Sequence, residues 1–301
     1  MTALTDRAPA DRTPADRPDA GPATDRRAFA RRLAGHPWDL YAALAATAVF
    51  AVAALWPYLL SAQGPYAMDF ESTLQPPSAD HWFGTDEAGR DLYARVVHGT
   101  SASLGVGIGA AGVSLAIAVV LGGLAALGNR VVAGLVGWTL EVAFAFPALL
   151  LSLLLIAVLG PSALTLVLAV GLGTAPGYAR MVRGQILAAR RAPYVEAAVA
   201  LGHSRARILR RHVLPNALRP LVAVFALSIG QSIVWASSLS FLGLGIAPPA
   251  PEWGALLDAG RQYITVSPWL TVIPGLVIVL LALTTTTLGR HLQTFLEKGE
   301  R

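Results

Sequence analysis

The stretch Tyr194–Leu221 reads "YVEAAVALGHSRARILRRHVLPNALRPL". It carries Arg205, Arg207, Arg210, Arg211 and Arg219 against a single carboxylate, Glu196. Long apolar runs lie on both sides of it. Basic residues beside apolar runs mark a loop on the cytoplasmic face of a membrane. Yet the stretch opens with a small, nearly uncharged patch, Ala197 to Leu201, closed by Gly202. Pro193 suits the first turn of a helix, and Glu196 then sits near its positive end, worth about 0.3–1 kcal/mol. Gly202 is a natural helix stop. Ser204 is placed to cap a second helix, Arg205–Leu214, which Pro215 breaks or bends at the membrane entry. The expected product is a helix–glycine–helix elbow whose small face suits docking into a cleft on a partner.

Composition agrees with a membrane protein. The chain has 301 residues, of which 54% are hydrophobic and 14% charged, and no cysteine. Soluble domains carry about 25% charged residues. Without cysteine there is neither a disulfide nor a thiolate metal site. His81, His98, His203 and His212 show no ligand spacing, so no metal is expected. The only lysine, Lys298, lies in "LEKGER". A phosphate loop needs a glycine-rich turn followed by Lys and Ser/Thr, so the chain has no such ATP site of its own. The net charge of +5 comes from arginines flanking apolar runs, which favours membrane topology over nucleic-acid binding.

Six apolar runs follow a polar start: Leu40–Leu60, Ser103–Gly128, Val131–Gly160, Ala163–Ala179, Pro220–Gly245 and Pro268–Gly289. Each reaches or approaches the roughly 20 residues a helix needs to cross a bilayer. Abundant Gly and Ala predict close helix packing. Residues 1–35 are rich in Ala, Asp, Arg, Pro and Thr and read as a disordered cytoplasmic tail. Residues 36–301 read as the transmembrane domain. Residues 61–99 hold only Arg90 and Arg95 against six carboxylates, whereas the connection 180–219 holds nine arginines. With six crossings, both termini and 180–219 lie on the cytoplasmic side, and 61–99 lies outside. The expectation is an all-α polytopic bundle of six transmembrane helices in a bacterial inner membrane.

"EAAVALG" followed by "ILRRHVLPN" resembles the cytoplasmic signature of the permeases of ABC importers. "HWFGTDEAGRDLYARVVHGTSASLGVG" (His81–Gly107) and "LSFLGLGIAPPAPEWG" (Leu239–Gly254) resemble the second permease subunit of dipeptide, oligopeptide and nickel importers. The resemblance covers about residues 38–290. It implies a type I importer fold, with the elbow as the element that couples to an ATPase subunit. The matching positions are Glu196, Ala197, Ala198, Gly202, Ile208, Leu214 and Pro215. It also implies a second homologous permease, two ATP-binding subunits that hold the ATP, and an extracellular substrate-binding protein. Peptides are the implied cargo, with nickel the alternative. Two departures stand out: Ala236 occupies a place where Glu is expected, and "LGRHLQTFLEKGER" lacks the usual Gly-Asp and Asp-Pro pattern.

Other residues carry smaller expectations. Thr85 is placed to cap a helix starting at Asp86. Trp56, Tyr58, Tyr263 and Trp269 suit an interface belt. Gln231, Ser232 and Ser237, with Ser238 and Ser240, make the fifth run polar; they line a hydrophilic path or bond between helices. Pro147 and Pro274 are positions for kinks. Glu141 is the only carboxylate within the runs. A proton-driven transporter would need such a group buried, and its placement at the cytoplasmic interface fits better. A passive scaffold leaves the elbow unexplained.

Overall fold

A computed structural model describes residues 37–298. The tail expected over 1–35 and the last three residues lie outside them. By contacts the chain divides into Met1–Asp39 and Leu40–Arg301, and the helix bundle is the second unit. The helices are α1 (Pro37–Leu55), α2 (Leu92–Leu127), α3 (Arg130–Ala145), α4 (Ala148–Leu159), α5 (Ala163–Arg190), α6 (Pro193–Ala200), α7 (Arg205–Ile208), α8 (Leu214–Leu218), α9 (Pro220–Leu239), α10 (Trp253–Gly260) and α11 (Trp269–Lys298). Among the described residues no strand forms, and only an isolated bridge joins Thr85 and Asp91.

Every apolar run lies largely on a helix, but the boundaries differ from the reading of hydropathy. Four helical stretches are long and apolar enough to cross a membrane: Trp38–Leu55, Leu92–Leu127, Arg205–Leu244 and Trp269–Leu296. The run Val131–Gly160 is not one straight span. It breaks into α3 and α4, which meet at 91°. Pro147, with no N–H to donate, stands at the break; counting the pair as one span makes five. The remaining run lies on α5, a 28-residue helix with Pro176 inside. Arg180, Arg183 and Arg190 lower its apolar character. Helix α2 starts at Leu92, well before the Ser103 at which its apolar run begins and inside the segment expected to be a loop.

Helix α2 packs along α5, α9 rests on α11 and α2, and α4 lies on α5. Small residues permit this. A side chain at Gly122 would meet the Ala179 carbonyl at 2.5 Å, and one at Gly171 would meet Val113 at 2.7 Å. Without such glycines α2 and α5 would stand further apart. Three buried clusters result. One surrounds Val106, Ala110, Leu166, Val170 and Leu239 in the middle of the bundle. One gathers Phe50, Leu92, Val96, Ile233, Trp253 and Leu270 at the far end. The third joins Ala179, Val182 and Ile186 of α5 to Val195, Ala198, Ile208 and Val213 of the elbow.

Candidate functional site

The elbow is built by local chemistry. Pro193 begins α6 and Glu196 lies in its first turn. The helix ends in paired backbone bonds: Gly202 N–H donates to Val199 O at 2.9 Å and His203 N–H to Ala198 O at 3.1 Å. This is the Schellman closure, which needs a left-handed residue at Gly202; its φ is +75°. Ser204 Oγ then accepts from Arg207 N–H at 3.4 Å and starts α7. The second helix does not stop at Pro215 as its sequence suggests. A π turn, Leu209–Val213, widens the helix before the proline. Leu214 N–H reaches back to Leu209 O, and Asn216 Nδ2 donates to the His212 carbonyl at 2.8 Å. The extra residue in the turn absorbs the ring clash and missing donor that proline brings, so the chain runs helically from the elbow into α9.

The predicted site residues fall into two sets. Glu196, Ala197, Gly202 and Pro215 are exposed, and Leu214 is half-buried. Ala198 is only 4% exposed and Ile208 8%. Ala198 and Ile208 therefore face inward, where they seat the elbow on α5 in this conformation. The helical period is the reason: Val195 and Ala198 stand on one face, while Ala197, Val199 and Leu201 stand on others. Leu201, 76% exposed, and Val199, 62% exposed, are the large apolar residues presented to solvent. Beneath them a groove of about 520 Å³ is lined by Arg190, Val195, Val199, Arg205 and Ile208. Arg190 Nη1 donates to Ala126 O at 2.9 Å, tying the end of α5 to the last turn of α2. His203 and His212 stack with ring centres 6.1 Å apart.

Among the path candidates, Gln231 is exposed, while Ser232 and Ser237 are buried. Gln231 Oε1 accepts from the Tyr178 hydroxyl at 2.9 Å. Both line a groove of about 670 Å³ that also takes in Phe144, Phe146, Pro147 and Trp235. Ser237 instead borders an apolar cavity of about 530 Å³ with Leu149, Phe241 and Leu257. Arg180 stands over the Phe144 ring at 4.1 Å. Glu141 is exposed on α3.

Opposite the elbow, the structure corrects the reading of Thr85. No helix begins at Asp86. Thr85 is fully buried and bonds backbone instead: its Oγ1 donates to the Ser72 carbonyl and accepts from Gln75 N–H. Asp91 is the true cap of α2, accepting from Ala94 N–H at 2.8 Å. Asp86 anchors a buried cluster: its Oδ2 accepts from Arg90 Nε at 2.7 Å and from Arg95 Nη1 at 2.5 Å. Arg95 Nη2 reaches the Pro249 carbonyl at 3.1 Å. Trp269 donates to Thr85 O at 3.4 Å and, with Tyr263, is half-buried against the far-end cluster. Trp56 and Tyr58 do stay exposed. Glu252, buried in the connection before α10, accepts from Gly254 and Ala255 N–H at 2.9 and 3.0 Å. Burial pushes its carboxyl above the usual value, against the pull of these donors. Sequence reading missed this cluster, although "TDEAGRD" packs three carboxylates against an arginine within seven residues.

A bundle of closely packed apolar helices, interrupted by a capped basic elbow, is the plan of an importer's membrane subunit. Residues 118–299 match the family described as binding-protein-dependent transport system inner membrane component. The chain belongs to that family: it is a multi-pass inner-membrane permease subunit of an ABC importer. It is similar to the dipeptide transport system permease protein DppC of Alkalihalophilus pseudofirmus, 36% identical over 82% of both chains. It is also similar to the glutathione transport system permease protein GsiD of Pectobacterium atrosepticum, 35% identical over 91% of both. The probable D,D-dipeptide transport system permease protein DdpC of Escherichia coli K12 is 38% identical over 79% of this chain and 80% of its own. In fold it resembles a crystal structure of an amino acid ABC transporter with histidines, TM-score 0.56 at 17% identity, covering 68% of this chain and 94% of that one. An inward-facing methionine transporter, MetNI, gives a TM-score of 0.54 at 19% identity, covering 67% and 95%.

Proposed function

We propose that this permease carries short peptides into the cell, driven by ATP hydrolysed on partner subunits and transmitted through residues 194–215. The observation that carries the cargo is the near full-length similarity to permeases named for a dipeptide, a D,D-dipeptide and glutathione. Their cargoes share a short peptide-like backbone. The complete transporter would pair this chain with a second permease, two ATP-binding subunits and an external binding protein. Both termini and the elbow would lie in the cytoplasm, because the connection 180–219 concentrates the arginines. The 61–99 segment, whose Arg90 and Arg95 are paired with Asp86 and Glu87, would face outward. Glu196, Ala197, Val199 and Leu201 would meet the ATPase cleft, with Gly202 setting their angle. The chain itself would do no covalent chemistry and hold no ATP.

A ligand shifts the balance between two conformations of such a transporter only if it binds them unequally. ATP binding would close the ATPase pair around the elbow and thereby favour one of them. The test is uptake of labelled dialanine into proteoliposomes that hold the assembled transporter with its binding protein. Uptake should require ATP. Uptake that follows an imposed proton gradient without ATP would overturn the reading.

A further inference from the structure

Tyr178 and Gln231 meet across α5 and α9, with the Tyr178 hydroxyl donating to Gln231 Oε1 at 2.9 Å. Gln231 Nε2 donates to no described residue, and the side chain is exposed in the groove of about 670 Å³. An amide donor left unpaired against hydrocarbon costs several kcal/mol, roughly 4–8 on a water-to-cyclohexane scale. Lipid is therefore a poor cover for this face. A second feature of the same groove points the same way. Gly173, Pro176 and Gly177 form its α5 wall. Pro176 has no N–H, so the carbonyl of Leu172, one turn earlier on α5, loses its helical donor. Freed backbone at membrane depth is tolerated where it is buried in protein or lines a water-filled cavity. Phe146 and Trp235 supply apolar walls on the other sides.

An amide donor held by Tyr178 between aromatic walls suits a carbonyl of an extended peptide backbone. It makes no demand on the cargo's side chains beyond apolar contact. We propose that this groove is part of the cargo path and that Gln231 is a specificity-determining residue whose Nε2 donates to a carbonyl of the cargo peptide. Tyr178 acts as a positioning residue: it fixes the amide so that Oε1 is occupied and Nε2 points to cargo. This inference rests on the peptide-importer reading above.

The test uses the assembled transporter, and the cysteine-free chain supplies the background. A Gln231→Cys chain should react with a hydrophilic maleimide, and saturating dialanine should slow that reaction. Gln231→Leu should lower dialanine taken up per ATP hydrolysed about five- to tenfold, the equivalent of one hydrogen bond, with ATP turnover and complex yield near wild type. Tyr178→Phe should shift the same ratio in the same direction, and Gln231→Asn, which keeps the amide, should shift it less. A merely structural role would lower yield and ATP turnover together and leave the ratio unchanged; that result overturns the inference. So does an unreactive or unprotected Gln231→Cys chain in a transporter whose wild type takes up dialanine. A wild type that takes up no dialanine defeats the peptide reading itself.

Discussion

Replacing Gly202 by valine isolates one backbone angle. At φ +75° the position is left-handed, and an added Cβ would meet nothing within 4 Å. No clash enters, so the cost is conformational: about 1–3 kcal/mol for a non-glycine residue held there, with a β-branched side chain at the upper end. Helix α6 has eight residues, too few to persist without its caps and its seat. The penalty therefore falls on the elbow, whose formed population should drop about five- to a hundredfold relative to its frayed alternative. The middle and far-end clusters contain no elbow residue, so the variant should express and insert normally. Retention of the ATP-binding subunits on purification and ATP-driven dialanine uptake should both fall by about tenfold or more. Asparagine tolerates positive φ, so Gly202→Asn should stay close to wild type, with Gly202→Ala between. A Gly202→Val chain with normal uptake and normal ATPase retention would refute the reasoning. So would an asparagine variant as defective as the valine one, because side-chain bulk rather than φ would then be the cause.

Neighbouring alanines should separate docking from folding. Ala197→Asp, at an exposed position, should leave the purified chain's melting temperature unchanged and weaken ATPase retention; Ala198→Asp buries a carboxylate and should lower the melting temperature as well. At the opposite end, Asp86→Asn leaves Arg95 without a carboxylate, while Arg90 keeps Glu87, and should cost about 3–5 kcal/mol in detergent unfolding; Arg95→Met, which leaves Asp86 paired with Arg90, should cost less. Glu252 predicts a pH dependence. Its folded carboxyl titrates above the unfolded value of 4.5, so the folded state binds the extra proton between those two values. Stability should be greatest at or below the unfolded value and fall as pH rises toward the folded one, then level off. Unfolding midpoints across that window should show the decline in the wild type and a flatter profile in Glu252→Gln; a midpoint that rises with pH there would contradict the burial argument.

What could be read from sequence was local. Pro193, Gly202 and Ser204 act within a few residues, so the elbow's start, stop and second cap are all legible in the residues themselves. The break at Phe146–Pro147 was visible only as a position for a kink, because hydropathy averages over 30 apolar residues and carries no angle. Helix α2 hid its first turns: Arg95 looks like a loop residue until Asp86, nine positions earlier, neutralises it. The run through Pro215 depended on a π turn, which no residue type announces. Ala198 and Ala197 are identical in sequence and opposite in burial, and only the direction from which α5 approaches the elbow decides between them. The Tyr178–Gln231 bond joins residues on helices whose contact no periodicity predicts.

The central claim is that the elbow's exposed face meets an ATP-binding subunit. Leu201→Cys in the cysteine-free chain, assembled with the other subunits and treated with a short thiol-to-amine cross-linker, tests it directly. The account predicts a cross-linked product containing an ATP-binding subunit from this position, and none from a cysteine at Ser78 on the opposite end. A stably assembled, transport-active complex in which Leu201→Cys yields no such product, or in which Ser78→Cys yields it instead, would contradict the account.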